Sequence, residues 1–486
     1  MIDANRAGSG DARWLAGKCL TPSRQPARKS GPSPIIGRMR RAAVIGSGPA
    51  GFYATAALLA SDEPAFAVDL YDRLPTPWGL VRAGVAPDHP KIKAVTRVFE
   101  KIAKHERFRF FGHVTIGRHL TREELLAHYD AVVWAYGADA DRRMGIEGED
   151  LPGSIAATAL VGWYNGHPDW RELELDLSCE RVVVIGNGNV AIDVARMLAV
   201  DPDELATTDV ADHALAELRA SKIREIVVCG RRGPAQAAFT SVELGELGEL
   251  AGVDVVVSAE EGTPDAASAE AIAGEGHPIE RRNVSILQSY IERGTRGADR
   301  RIVLRFLVSP TRILGADRVE EIELARTRLE PGEGGTMRAV ATDECETIPC
   351  GMVVRSVGYL GRGVPGVPFD GRRGVIPNEQ GRVLDSIGEY CTGWIKRGPS
   401  GIIGTNKKDA NETVETLLAD VRAGALGEAG HDPAIIEALV RARQPDVVEL
   451  AGWNAIDAVE RALGEPHGRP RAKLVTFAEL VRAARS

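Results

Sequence analysis

The sequence predicts an α/β fold with two strand–turn–helix units, because one glycine-rich pattern occurs twice after an apolar run. Residues 42–51 read AAVIGSGPAG, and residues 182–191 read VVVIGNGNVA. Runs of alanine, valine and isoleucine favour a buried strand, and the glycines permit a tight turn into a helix. This order of elements is typical of a dinucleotide-binding, Rossmann-like domain.

In the first unit, Gly46, Gly48 and Gly51 occupy the three glycine positions of that pattern. They serve the turn, the approach of the backbone to a pyrophosphate, and the packing of helix on strand. A second apolar strand, over residues 66–71, ends at Asp72. A carboxylate at this place accepts hydrogen bonds from an unmodified adenosine ribose, so the first unit is predicted to bind FAD.

The second unit carries Gly188, with Ala191 in the third glycine position, and a strand over 225–229 leads to Arg231 and Arg232. Planar guanidinium groups match the geometry of phosphate, and arginines at this place favour a ribose with a 2′-phosphate. The second unit is therefore predicted to bind NADP. The alternative for the arginine pair is a solvated surface position.

Composition limits the other classes of function. With 486 residues, 44% of them hydrophobic, and a net charge of −8, the chain has no general attraction for nucleic acid. It contains no apolar stretch long enough to span a bilayer, and we expect a cytoplasmic location. The six cysteines have neither metal-ligand nor CxxC spacing, so no metal site, iron–sulfur cluster or redox-active dithiol is expected.

Residues 1–38 differ in composition from the rest of the chain. They are rich in proline, glycine, serine and arginine, contain few acids and show no periodicity. We expect a disordered leader, and the position of Met39 before the first strand makes an upstream extension of the true start one interpretation. A transit peptide is the alternative.

Several further segments carry structural expectations. Residues 74–93 and 260–275 are expected to form loops, and so is the glycine-rich piece at 331–335. Residues 129–136 are expected to form a buried strand, and residues 352–359 a strand that carries the chain back from the second unit.

The last part of the chain is expected to return to the flavin. The segment 393–406 (GWIKRGPSGIIGTN) precedes a predicted helix over 407–421, whose N–H groups and positive dipole end would face the flavin ring. An ordinary helix cap is the alternative. The tail, 432–486, predicts two or three amphipathic helices that pack against the first domain.

Six motifs together resemble adrenodoxin reductase and its bacterial ferredoxin–NADP⁺ reductase relatives. They are residues 45–53 (IGSGPAGFY), 76–82 (TPWGLVR), 84–90 (GVAPDHP), 186–191 (GNGNVA), 230–234 (GRRGP) and 393–401 (GWIKRGPSG). The resemblance runs from Met39 to the C-terminus. It implies a monomeric flavoprotein in which an NADP-binding domain, 146–357, is inserted within an FAD-binding domain, 39–145 and 358–486.

The resemblance also assigns residues to the two nucleotides. For FAD the contacts are Ala50, Asp72, Leu80, Ile116, Trp394, Gly401, Ile402 and Ile403. For NADP they are Asn187, Gly188, Asn189, Val190, Arg231, Arg232 and Glu243, with Gly401 near the nicotinamide. His89 and Glu243 are expected beside the flavin–nicotinamide stack, where they orient and tune charge. The alternative for His89 is a structural histidine that caps the 87–90 turn.

Two positions depart from the family pattern. Relatives usually carry glutamate where this chain has Asp72, and tend to carry arginine where it has Gly245. The second departure weakens the transfer of partner identity. Five cations were nevertheless expected to form a positive rim against an acidic ferredoxin: Arg82, Lys91, Lys93, Lys396 and Arg397. A solvated surface is the alternative for each.

The function that the resemblance implies is transfer of electrons from NADPH, through FAD, to a ferredoxin-type iron–sulfur protein. Flavins convert a two-electron donor into two one-electron deliveries. The alternatives are an electron-input subunit like the flavin subunit of glutamate synthase, a redox-inactive NADP sensor and a flavin monooxygenase.

Overall fold

The computed structural model describes residues 39–332, 337–427 and 432–486. The predicted disordered leader, 1–38, lies outside the described residues, and so does most of the predicted loop at 331–335. The rest confirms the predicted α/β fold with two parallel sheets.

The strands lie along most of the described chain, and all but β12 and β13 have seven residues or fewer. They are β1 (Arg40–Ile45), β2 (Phe66–Tyr71), β3 (Phe108–Phe111), β4 (Ala131–Trp134), β5 (Ala140–Asp141), β6 (Ser154–Ala156), β7 (Arg181–Ile185), β8 (Glu225–Gly230), β9 (Val253–Val257), β10 (Arg300–Phe306), β11 (Val308–Leu314), β12 (Glu321–Pro331), β13 (Met337–Pro349), β14 (Met352–Arg355), β15 (Tyr359–Leu360), β16 (Asn378–Glu379), β17 (Arg382–Val383) and β18 (Glu389–Cys391).

The helices alternate with these strands and then form the C-terminal tail. They are α1 (Pro49–Leu59), α2 (Leu80–Ala83), α3 (Pro90–Lys93), α4 (Thr96–Ala103), α5 (Arg122–His128), α6 (Ala157–Tyr164), α7 (Asn189–Ala199), α8 (Pro202–Leu205), α9 (Asp212–Ala220), α10 (Ser241–Leu247), α11 (Ala259–Gly262), α12 (Ala266–Ala273), α13 (Pro278–Arg293), α14 (Trp394–Arg397), α15 (Ile403–Arg422), α16 (Pro433–Arg443), α17 (Leu450–Gly464) and α18 (Phe477–Ala484). None of these described helices has the length and apolar character needed to cross a membrane.

The first sheet has the strand order β16-β17-β18-β4-β1-β2-β3. From β18 to β3 the neighbours run parallel, and β1, β2 and β4 are almost entirely buried because helices cover both faces. Ile45 pairs with both Tyr71 and Trp134. The turns that follow these three strands therefore meet at one edge of the sheet.

The second sheet has the order β6-β14-β7-β8-β10-β9, and all its pairings are parallel. Its strands, and those of the antiparallel sheet β11-β12-β13, fall in sequence between β5 and β15. These two short strands pair with each other, Tyr359 opposite Asp141. The chain thus leaves the first sheet and returns to it at neighbouring points, and the insertion of one nucleotide-binding domain within the other stays a prediction.

Three local predictions are wrong in part. The predicted loop at 74–93 contains the single-turn helices α2 and α3. The predicted loop at 260–275 is mostly helical (α11 and α12), because Ser258 and Asp265 cap these helices through hydrogen bonds of 3.2 and 2.7 Å to backbone N–H groups. The predicted strand at 352–359 breaks after Arg355 and resumes as β15.

The C-terminal predictions are largely confirmed. The helix expected at 407–421 begins earlier, at Ile403, and ends at Arg422. The tail forms α16, α17 and α18. As expected, α17 and α18 pack against the apolar core of the first sheet and α1. Trp453 of α17 meets Trp78 edge to face, with 6.0 Å between ring centroids, and both belong to the apolar core beneath α1.

Candidate nucleotide-binding and active site

The turn after β1 can be built only with glycine. Gly46 has φ 108°, and a Cβ there would lie 2.5 Å from the Cα of Tyr136. A Cβ on Gly51 would lie 1.9 Å from the carbonyl oxygen of Gly46, so the third glycine permits α1 to approach the turn. Gly48 is the N-cap of α1 and provides no side-chain cap. The first N–H groups of α1 therefore remain available to an anion.

Asp72 lies at the carboxyl end of β2, directly beside this turn. Its carboxylate accepts hydrogen bonds from the backbone N–H of Ser47, at 2.8 Å, and from the Ser47 hydroxyl, and it also accepts one from the N–H of Leu74 at 2.9 Å. The Asp72 side chain, which is shorter than the glutamate of relatives, therefore binds the glycine turn itself. Its contact with a ribose stays a prediction.

The other residues predicted to contact FAD gather around the start of α1. A Cβ on Gly79 would lie 2.8 Å from the Cα of Gly48, and one on Gly393 would lie 2.6 Å from the Cβ of Ala50. Two large apolar side chains of the predicted set are left uncovered: Leu80, directly after Gly79, at 41% exposure, and Ile402, directly before α15, at 67%. Close backbones and uncovered apolar side chains at a helix N-terminus fit a flat, apolar ring system with a phosphate tail.

Four further predicted residues differ in their surroundings. Trp394 begins α14, and its indole N–H donates to the carbonyl of Ser400 at 3.2 Å. Gly401 has φ 81°. Ile403 opens α15, whose N-cap residue, Ile402, offers no side-chain acceptor and donates its N–H to the Thr405 hydroxyl at 3.2 Å. Ile116 is half-buried against the cluster that contains Tyr71. The first three follow β18, so they lie at the same edge of the sheet as Gly46.

Asp409 binds several residues of the segment after β18, and it was not predicted from the sequence. Its carboxylate accepts from the Gly393 N–H and from the Thr392 hydroxyl, and it pairs with Lys396 at 2.9 Å and Arg397 at 3.0 Å. It is only 7% exposed. The signal in the sequence was the pair of cations in the 393–401 motif, which required an anion from elsewhere.

The second turn repeats the geometry of the first. Gly186 has φ 130°, and a Cβ there would lie 2.1 Å from the carbonyl oxygen of Ser356. Gly188 is the N-cap of α7, again with no side-chain cap, and a Cβ there would meet no atom within 4 Å. Ala191 is fully buried. A pyrophosphate could therefore approach α7 closely.

Two asparagines of the second turn face neighbouring loops. The side-chain amide of Asn187 lies against Gly230, the last residue of β8, and no described residue forms a hydrogen bond with its buried nitrogen. The side-chain oxygen of Asn189 accepts from the Thr240 N–H at 2.7 Å, and Thr240 is the N-cap of α10. Val190 is partly buried against the core. The turn is thus joined both to the arginine loop and to the helix that carries Glu243.

Arg231 and Arg232 follow β8 at the carboxyl edge of the second sheet. Within the described parts of the chain, neither guanidinium has an acidic partner or a hydrogen bond. Burial lowers the pKa of Arg232, and the charge of Arg231 lowers it further. Two repelling cations beside an open helix N-terminus fit a phosphate group.

His89 and Glu243 come together although they are far apart in sequence. His89 Nε2 lies 3.8 Å from a carboxylate oxygen of Glu243 and 3.0 Å from one of Glu246. Among the described residues, the His89 side chain forms no hydrogen bond that caps α3, and its contacts are instead with these two carboxylates. Burial raises the pKa of Glu243, against the opposing effect of His89.

Three residues that the sequence analysis did not single out complete this cluster. A carboxylate oxygen of Asp193 lies within 4.8 Å of a ring nitrogen of His89 and of a carboxylate oxygen of Glu243. Arg196, one turn later on α7, binds Asp193 at 2.6 Å and also binds Asp88. A buried Asp–Arg pair inside an apolar helix was the available signal.

Tyr359 connects this cluster to the residues predicted to contact flavin. Its ring centroid lies 5.6 Å from that of Trp394. Burial raises the pKa of its hydroxyl, and the nearby charges of Asp193 and Asp141 raise it further. The cluster around His89 and the edge that carries Trp394 therefore form one continuous site between the two sheets.

The predicted positive rim is mostly wrong. Arg82 binds the buried Glu460, Lys93 binds Asp209 at 2.6 Å, and both Lys396 and Arg397 bind Asp409. Each of these four cations is thus neutralised by a carboxylate within the protein. Lys91 alone of the five is exposed.

Comparison with known proteins agrees with these observations. Residues 40–227 match the family model described as pyridine nucleotide-disulphide oxidoreductase. The NADPH-ferredoxin reductase FprA of Mycobacterium tuberculosis is 52% identical over 450 residues, which are 90% of this chain and 98% of that protein. This chain belongs to the adrenodoxin reductase-like family of ferredoxin–NADP⁺ reductases.

Other members of this reductase family extend the comparison. The mitochondrial NADPH:adrenodoxin oxidoreductase of Salvelinus fontinalis is 43% identical over 458 residues, with 91% of each chain covered. A solved structure of Mycobacterium tuberculosis FprA in complex with NADPH matches with a TM-score of 0.88 and 51% identity, over 92% of this chain and 100% of that one. The predicted family is confirmed. As a member, the chain is an oxidoreductase with FAD and NADP(H) as its cofactors.

Proposed function

We propose that this chain takes electrons from NADPH and delivers them, through FAD, to a ferredoxin-type iron–sulfur protein. The observation that carries the proposal is the Arg231–Arg232 pair, which has no acidic partner among the described residues and lies beside an open helix N-terminus. Relatives over nearly the whole chain are named NADPH-ferredoxin reductase and NADPH:adrenodoxin oxidoreductase. Bound FAD supplies the conversion of a two-electron donor into two one-electron deliveries.

The chain's own residues would bind and orient the two nucleotides. For FAD we propose the start of α1, with Gly46, Gly48, Ala50 and Gly51. The other FAD contacts that we propose are Asp72, Leu80, Ile116, Trp394, Gly401, Ile402 and Ile403. For NADP we propose Asn187, Gly188, Asn189 and Val190 at the pyrophosphate, and Arg231 and Arg232 at the 2′-phosphate. These roles rest on the open helix starts and the unpaired cations.

His89 and Glu243 would act by position and charge. Transfer between two stacked rings requires correct distance and a dry site rather than a protein acid or base. Both side chains are about 10% exposed. The Glu243 oxygen that lies 3.8 Å from His89 Nε2 is buried and has no hydrogen-bond partner among the described residues. We propose that Glu243 and His89 together face the nicotinamide end of NADPH.

The proposal extends to the domain boundaries, the oligomeric state and the location of the protein. We propose an FAD-binding domain at 39–145 and 358–486, and an NADP-binding domain at 146–357, because β5 and β15 pair where the chain crosses between the sheets. A monomer in the cytoplasm is proposed from the family resemblance. Gel filtration with light scattering and cell fractionation test these two points.

The main test measures coenzyme preference. Arg231→Ala and Arg232→Ala should each lower kcat/KM for NADPH by about tenfold or more, because a charge-assisted hydrogen bond contributes about 1.5–3 kcal/mol. The rate with NADH should remain unchanged. Arg224→Ala is the matched control, since Arg224 precedes the other end of β8 and its guanidinium donates only to a backbone carbonyl.

The acceptor is tested by cytochrome c reduction with and without added ferredoxin. Reduction that requires ferredoxin supports the proposal. If the two arginine variants behave like Arg224→Ala, the coenzyme assignment is wrong. If ferredoxin has no effect while the flavin is still reduced by NADPH, the acceptor assignment is wrong.

A further inference from the structure

The loop that carries the two arginines is anchored through its own backbone carbonyl groups and not through the arginine side chains. The carbonyl oxygen of Arg231 accepts a hydrogen bond from the Thr327 hydroxyl at 2.7 Å. The carbonyl oxygen of Arg232 accepts one from the Leu307 N–H at 3.3 Å, and the Thr327 N–H donates to the carbonyl of Leu307 at 2.8 Å. Thr327 and Leu307 therefore fix both arginines from one side.

The pairing of β12 with β13 is irregular beside Thr327. Ala325 pairs with Cys345 but Thr327 pairs with Ala341, so β13 has two more residues than β12 across this step. Such irregularities are common next to functional sites. Leu307, which lies between β10 and β11, has φ 57°, a left-handed conformation that is uncommon outside glycine.

The environment makes this contact a firm one. Thr327 is 7% exposed, so its hydroxyl is shielded from competing water. The arginine side chains are bound by no described residue, and their like charges repel. Since no hydrogen bond or ion pair to a described residue holds either guanidinium, the anchored backbone is the part of this loop that can orient the pair.

We propose that Thr327 is a positioning residue for NADP specificity, because its hydroxyl fixes the carbonyl of Arg231 and so aims the arginine pair at the 2′-phosphate. This inference rests on the proposed role of Arg231 and Arg232. It predicts that losing the hydroxyl reduces discrimination for the 2′-phosphate without reducing affinity for the rest of the nucleotide.

The test is binding of 2′,5′-ADP and of 5′-AMP to the FAD-loaded protein, measured by titration calorimetry. Thr327→Val keeps the shape of the side chain and removes the hydroxyl. It should weaken the binding of 2′,5′-ADP by about fivefold, as loss of one hydrogen bond implies, and leave the affinity for 5′-AMP unchanged. Thr327→Ser should restore binding. In steady state, the KM for NADPH should rise while kcat and the NADH rate stay constant.

Thr311→Val is the matched control. Thr311 lies on β11 of the same sheet, and its hydroxyl donates to the carboxylate of Glu323 at 2.6 Å rather than to a residue of the arginine loop. If it weakens 2′,5′-ADP as strongly as Thr327→Val does, the effect belongs to the sheet and the inference fails. Equal weakening of both nucleotides by Thr327→Val also overturns it. Thr327→Ala gives the same reading if the valine variant does not fold.

Arg231→Ala separates this inference from the function beneath it. If Arg231→Ala weakens 2′,5′-ADP and Thr327→Val does not, only the role of Thr327 is wrong. If Arg231→Ala also has no effect, the phosphate clamp itself is wrong, and the inference is rejected together with it.

Discussion

The guanidinium of Arg82 donates hydrogen bonds of 2.8 and 2.6 Å to the two carboxylate oxygens of Glu460. Glu460 is fully buried, and Arg471 also binds it, at 3.0 Å. The predicted partner-binding arginine thus joins the segment after β2 to helix α17. This contact explains why the motif residue Arg82 is not available at the surface.

Breaking this pair should be strongly destabilising. Glu460→Gln leaves the buried Arg82 guanidinium without an anion, whereas Arg471 keeps Asp457 at 2.7 Å. Loss of one partner of a buried ion pair costs about 3–5 kcal/mol. Arg461→Gln on the same helix should cost less than about 1 kcal/mol, because Arg461 pairs with Asp457 at 56% exposure. Urea unfolding followed by tryptophan fluorescence compares the two. Equal effects would contradict this account of Arg82.

The buried carboxyl of Glu243 should make stability depend on pH. Burial raises its pKa in the folded protein, so the folded state holds a proton that the unfolded state has lost. Stability is therefore complete below the unfolded pKa, about 4.3, and falls as pH rises through the folded pKa. Glu243→Gln should flatten the fall of Tm with rising pH. The control, Glu249→Gln, changes an exposed residue just beyond the same helix, and it should leave the slope unchanged. Unaltered slopes in both variants would refute the prediction.

Asp409 should be required for retention of FAD. Asp409→Asn leaves Arg397 without its counter-charge and Lys396 with only the more distant Glu412, and it should loosen the loop around Gly393 and Trp394. We expect a lower ratio of flavin to protein absorbance after gel filtration. Glu412→Gln is the control, since Glu412 approaches Lys396 from the surface at 3.7 Å and is 53% exposed. Full FAD content in Asp409→Asn would show that the loop does not depend on this carboxylate.

Gly245 offers a test of the docking surface. A Cβ at this position would meet no atom within 4 Å, and replacing a helix glycine stabilises by up to about 1 kcal/mol. Gly245→Arg should lower the KM for an acidic ferredoxin, and the effect should fade at high salt. Gly245→Gln adds a long side chain without charge and should leave the KM unchanged. A KM that is equal in both variants would exclude this face.

Sequence reasoning located the parts of the site that local backbone geometry dictates. Gly46, Gly51 and Gly186 are required by positive φ or by a close backbone approach, and such requirements are visible in the pattern itself. The ends of β2 and β8 were predicted for the same reason, since strand and turn follow directly from short apolar runs.

The parts that depend on distant side chains were not predictable. Asp409 and Glu460 neutralise cations far away in the sequence, and no local pattern distinguishes a cation with a buried partner from one in solvent. Arg82 and Lys396 were therefore assigned to the wrong surface. Thr327 was missed because its position depends on a register shift between strands.

Reduction of the bound flavin by coenzyme, measured by anaerobic stopped-flow absorbance, tests the central claim most directly. The purified yellow protein is mixed with NADPH and, separately, with NADH. The account predicts rapid bleaching with NADPH and much slower bleaching with NADH, because only NADPH carries the phosphate that Arg231 and Arg232 bind. Equal rates with the two coenzymes, or no bleaching with either, would contradict it.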